Sequence, residues 1–158
     1  MTNTITPQRT ADQARRRTDT LMQCAFSCEG VAAEAVSVLD APRVGHMRRI
    51  VVAHLRHLGL DALVANMQQI VSELVTNAIA HAGGPVTVTL LVTGTEVRLE
   101  VRDSGAGRPL LRSASSGEEN GRGLLLVDSL TTELGGRWGF DHDRRTVWVG
   151  IPIPISTP

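Results

Sequence analysis

Aromatic residues are nearly missing from this chain: there is no Tyr, and only two Phe and two Trp among 158 residues. Stacking platforms for nucleic-acid bases are therefore not expected, and the core has to be built from Leu, Val, Ile and Ala. Net charge is missing too. Sixteen Lys and Arg balance sixteen Asp and Glu, so no global field favours the coating of nucleic acid or of a membrane surface. The one basic run, Arg15, Arg16 and Arg17, sits in a polar N-terminal stretch and reads as part of a solvated tail. Cysteine is limited to Cys24 and Cys28. Their spacing makes neither a redox pair nor half of a zinc site, which leaves reduced cytosolic thiols as the plain reading. No stretch reaches the roughly 18 consecutive apolar residues of a membrane span, and the N-terminus lacks an apolar signal core, so the expected location is the cytoplasm.

What is present suffices for one ordinary core, since the chain has the length of a single domain and is 42% hydrophobic. Residues 1–32 are polar and mixed and read as an N-terminal extension, with a short helix expected over Ala11 to Met22. The domain proper is expected over residues 33–158. It begins with a short strand from Ala35 to Leu39, after which Asp40 and Pro42 supply an N-cap and an early-helix proline for a helix to about Leu58. Gly59 stops that helix, and Asp61 reads as the cap of a second one running to about Ala82, where Gly83, Gly84 and Pro85 end it. Val64, Met67, Val71, Leu74, Val75, Ala78 and Ala82 recur there at three- and four-residue spacing as one buried stripe.

The period then changes to two. Val86 to Val92 and Val97 to Val101 alternate apolar with polar residues around Gly94 and read as a hairpin. A loop rich in Gly, Ser and Glu follows from Gly105 to Gly121, then a helix from about Leu124 to Leu134 and strands near Arg137 to Phe140 and Thr146 to Ile151. The expected architecture is α/β: a two-layer sandwich, with helices packed on one face of a mixed, mostly antiparallel sheet.

Three short segments carry chemistry. Glu73 and Asn77 are four residues apart on the second helix and point away from its apolar stripe, which makes their side chains neighbours. Glu can deprotonate a nucleophile and Asn can offer a neutral oxygen to Mg²⁺, although the same pair also suits a solvated helix face. Asp103-Ser104-Gly105-Ala106-Gly107 follows a strand. A carboxylate there can accept a hydrogen bond from the amino group of adenine, and two glycines let a flat ligand approach the backbone; an ordinary strand-ending turn uses the same residues. Gly121-Arg122-Gly123-Leu124 is expected to open a helix, where free N–H groups attract phosphate and Arg122 adds a positive charge. Neither a P-loop nor a dinucleotide fingerprint is present.

Taken in order, Glu-x-x-x-Asn on a helix, two strands, Asp-x-Gly-x-Gly and Gly-x-Gly into a helix resemble the signature boxes of the GHKL ATPase superfamily. That group includes gyrase, a heat-shock chaperone, sensor histidine kinases and a mismatch-repair protein. The phrases from Ser72 to Ala78, Gly121 to Leu125 and Thr146 to Trp148 are most similar to its stand-alone branch of anti-sigma factors, the serine/threonine kinases of bacterial partner switching. The resemblance implies ATP and Mg²⁺ as cofactors, with Glu73 as catalytic base, Asn77 as Mg²⁺ ligand and Asp103 as adenine reader. Gly105, Gly107, Gly121 and Gly123 would shape the pocket, with Arg122 and Leu124 beside the phosphates. It implies an anti-sigma-factor antagonist as substrate and a sigma factor as sequestered target, with no direct nucleic-acid or membrane contact. It also implies a homodimer, for which Val51, Val52 and Leu55 offer an apolar patch unless they belong to the core. Two other readings stay open: a detached histidine-kinase-type catalytic domain, and a non-catalytic module that senses nucleotide or grips a partner.

Overall fold

The computed structural model describes residues 18–28, 40–81, 84–104 and 119–154. In chain order the elements are β1 (Asp19–Phe26), α1 (Ala41–His57), a 3₁₀ turn (Asp61–Leu63), α2 (Val64–His81), β2 (Val86–Val92), β3 (Glu96–Asp103), α3 (Glu119–Glu133), β4 (Arg137–Phe140) and β5 (Thr146–Pro152). The strands form one sheet in the order β1-β2-β3-β5-β4. Every pairing among them is antiparallel, in keeping with the mostly antiparallel sheet expected from the sequence.

The alternation read from the sequence sets which face is buried. Val86, Val88 and Leu90 of β2, Val97, Leu99 and Val101 of β3 and Val147, Val149 and Ile151 of β5 point to the helices and are buried. From the helix side Met67, Ile70, Val71, Leu74, Val75, Ala78 and Ile79 of α2 meet them. At about 1.5–3 kcal/mol for each large aliphatic side chain removed from water, this layer is the main source of stability. α2 packs against α1, α3 and the sheet at once, which is why its buried stripe is wider than that of a surface helix. Val51 and Leu55 of α1 are fully buried and Val52 nearly so. All three are core residues, and the apolar patch considered as a dimer interface is not on the surface.

Helix ends follow their glycines. Leu60 N–H donates to Leu55 O at 2.8 Å and Gly59 N–H to Arg56 O at 3.0 Å, with Gly59 at φ +71°, a pair of bonds that closes α1. α3 closes the same way through Gly135 at φ +68°, with Gly136 N–H donating to Thr131 O at 2.8 Å. At the start of α1, Asp40 holds the N-cap position but makes no capping hydrogen bond with its side chain. Its carboxylate is buried and lies 3.6 Å from the Arg43 Nε. Asp61 is likewise not a cap, because it opens the 3₁₀ turn and Leu60 precedes it.

The reading of residues 19–26 as part of an extension, helical as far as Met22, is corrected by β1. Phe26 pairs with Val86, Cys24 with Val88 and Met22 with Leu90, with an irregularity between Thr20 and Met22. Met22, Cys24 and Phe26 turn toward the core while Gln23 and Ala25 stay exposed, a period of two that selects a strand. The strand expected over Ala35 to Leu39 lies outside the described residues, as do residues 1–17. Among the described residues no helix is long and apolar enough to cross a membrane.

Candidate functional site

Chain direction alone brings the three segments to one end of the sandwich. Four residues join the C-terminal end of α2 to Val86, and Val86 pairs with Asp103 at the end of β3. The N-terminus of α3 lies at that same end, because its C-terminus leads into Arg137, which pairs with Gly150 near the far end of β5. So the last turns of α2, the first turns of α3 and the tip of β3 converge, although their sequence positions are far apart.

Glu73 and Asn77 are both half-buried on α2, one turn apart. Glu73 leans directly on α3: a Cβ placed on Gly123 would lie 2.6 Å from its Oε2. The carboxylate therefore stands against backbone early in α3, near the positive end of the helix dipole. α3 begins at Glu119, about five residues earlier than expected, so Gly121, Arg122, Gly123 and Leu124 lie within the helix and do not precede it. Arg122 is exposed and Leu124 half-buried. Gly105 and Gly107 lie outside the described residues.

Asp103 is fully buried. Its N–H donates to Arg145 O at 2.9 Å, and its Oδ2 lies 3.6 Å from the Arg145 Nη1. Arg145 is a contact that sequence reasoning missed. The turn between β4 and β5 delivers it: Arg144 N–H donates to Asp141 O at 2.8 Å, Arg145 N–H donates to the Asp143 side chain at 3.0 Å, and Arg144 takes a positive φ of 56°. Asp-His-Asp in that segment signals a turn, yet nothing in it announces a partner for Asp103.

A second group at this end was also not anticipated. Cys28, just beyond β1, lies within the fields of Asp40, Arg43 and Asp103, and burial first, then the Asp40 carboxylate, pushes its thiol up from its ordinary value. Arg43 stands over the Phe26 ring at 5.3 Å.

The site thus combines the Glu73 carboxylate, the Asn77 amide, a glycine-bearing stretch in the first turns of α3 and a buried carboxylate at a strand tip. Those groups fit a purine nucleotide with a divalent cation: Asn77 offers a hard neutral oxygen, and Gly123 leaves bare backbone beside Glu73. Residues 36–149 match the family described as histidine kinase-like ATPase domain. A relative with a curated description, the anti-sigma F factor of Clostridium acetobutylicum, is 33% identical over 83 residues, covering 45% of this chain and 58% of that protein. The chain therefore spans less than two thirds of the length of that relative.

Proposed function

This chain belongs to the histidine kinase-like ATPase family, and on that premise we propose that it is an ATP-dependent protein serine/threonine kinase of the anti-sigma-factor kind, phosphorylating an antagonist protein and sequestering a sigma factor. The observation that carries the proposal is Glu73: a half-buried carboxylate one turn from Asn77, set against the bare backbone of α3 at Gly123. The similarity to an anti-sigma F factor supports the choice of partners.

In this reading Mg-ATP supplies the phosphoryl group and the charge neutralisation for its transfer. Glu73 accepts the proton of the incoming serine or threonine hydroxyl, which raises the nucleophilicity of that oxygen as it approaches phosphorus. Asn77 would hold the Mg²⁺ without adding negative charge next to the phosphates. Gly121, in the first turn of α3, would leave backbone N–H open to phosphate oxygens. Asp103 would accept a hydrogen bond from the adenine amino group, and Arg145 at 3.6 Å helps to fix the orientation of that carboxylate. Guanine presents a carbonyl at the same ring position, so the carboxylate discriminates against GTP.

Binding of a fluorescent ATP analogue tests this, with and without Mg²⁺, on the wild type, Asn77→Ala and Asp103→Asn, with ATP and GTP as competitors. The expected result is Mg-dependent binding that ATP but not GTP displaces and that both substitutions weaken. No binding by the wild type would overturn the kinase proposal and leave a module that grips a partner without nucleotide.

A further inference from the structure

We infer that Gly123 is a positioning residue for Glu73: the side chain it lacks is the space in which the carboxylate stands. This rests on the reading of Glu73 as proton acceptor. A Cβ on Gly123 would come within 2.6 Å of Glu73 Oε2 but only 3.7 Å from Cδ. The first distance is inside the contact limit and the second is ordinary van der Waals contact. An alanine there therefore displaces the outer end of Glu73 and leaves its stem alone.

Both helices are held in place by the core. Val127 of α3 is fully buried and Leu130 is 9% exposed, while Val71, Leu74 and Val75 anchor α2 beside Glu73. Backbones seated in a close-packed interior yield less readily than the terminal torsion of a glutamate, so the carboxylate is what moves. Alanine is also the better helix former, and Gly123 lies inside α3. Stability and base placement thus change in opposite directions, which separates positioning from a merely structural role.

The test compares wild type, Gly123→Ala, Glu73→Gln and the double variant. Gly123→Ala is expected to melt at or above the wild-type temperature, while kcat for phosphate transfer at saturating ATP falls by about 100-fold. The double variant is expected to be no slower than the slower single one, because both changes remove the same function. A readout independent of nucleotide and activity is the ¹³C side-chain carboxyl resonance of Glu73, identified by its loss in Glu73→Gln. In Gly123→Ala it is expected to move. A resonance that keeps its shift, losses that multiply in the double variant, or a loss confined to nucleotide affinity would each overturn the inference. If the wild type transfers no phosphate while the resonance still moves, the kinase proposal fails and the positioning of Glu73 by Gly123 stands.

Discussion

Replacing Gly136 by alanine puts the same extra carbon at the other end of α3, and the structure gives the opposite expectation for it. The added Cβ would meet Gly150 O at 2.5 Å, Thr131 Cγ2 at 3.1 Å and Ile151 Cα at 3.3 Å. Two of these three atoms belong to the backbone of β5, which is paired on both sides, with Arg98 and Arg137 facing Gly150. Nothing there can swing away. Either β5 shifts, straining two ladders, or the closing turn of α3 opens and loses the 2.8 Å bond from Gly136 N–H to Thr131 O. Overpacking of this kind costs about 3 kcal/mol, which for a domain of this size lowers the melting temperature by roughly 6–12 °C. Thermal unfolding followed by circular dichroism reads that shift, with urea unfolding as a second measure. An unchanged melting temperature would mean that the helix end yields freely, and it would undo the argument that rigid backbone makes Gly136 sensitive where Gly123 is tolerant.

Two further expectations concern single charges. Glu73→Gln keeps the shape of the side chain and removes its capacity to take a proton, so phosphate transfer should fall by about 10²–10⁴-fold with little change in ATP binding, as a radiolabel transfer assay would show; full retained activity would remove Glu73 from the chemistry. Asp143 titrates below the ordinary aspartate value, because the Arg145 N–H and the Arg102 guanidinium, at 2.8 Å, bond to its charged form. A lowered folded-state pKa stabilises the fold above the unfolded value and loses that effect as pH falls through the folded one. The group is exposed, so the effect on stability is small. Carboxyl NMR should show Arg102→Ala moving the Asp143 midpoint upward, and an unmoved midpoint would exclude the ion pair in solution.

Most of the fold is legible in the sequence because its periods are clean. Val86 to Leu90 alternates without interruption, and Gly59 marks the end of α1 as a left-handed residue. β1 is illegible for the converse reason. Its inward residues are Met22, Cys24 and Phe26, only one of them a strong strand former, and the adjacent arginine run suggests a tail. The early start of α3 contradicts local preference, since Asn120, Gly121 and Gly123 are poor helix formers; packing of Val127 and Leu130 outweighs that preference. In the site, the spacing of Glu73 and Asn77 can be read directly. The approach of Gly123 to Glu73 and of Arg145 to Asp103 cannot, because each joins segments about 40–50 residues apart whose distance only tertiary packing fixes.

The strand order has a temporal side. β5 follows the other described strands in sequence, yet it is inserted between β3 and β4 and carries Val147, Val149 and Ile151 into the middle of the core. On a ribosome, where residues emerge one after another, β1 to β3 can pair early, but β3 keeps an open edge until the final strand arrives. Arg145, immediately before β5, arrives with it and reaches Asp103. A nascent chain halted before this strand would thus have both an unsealed sheet and an unfinished site.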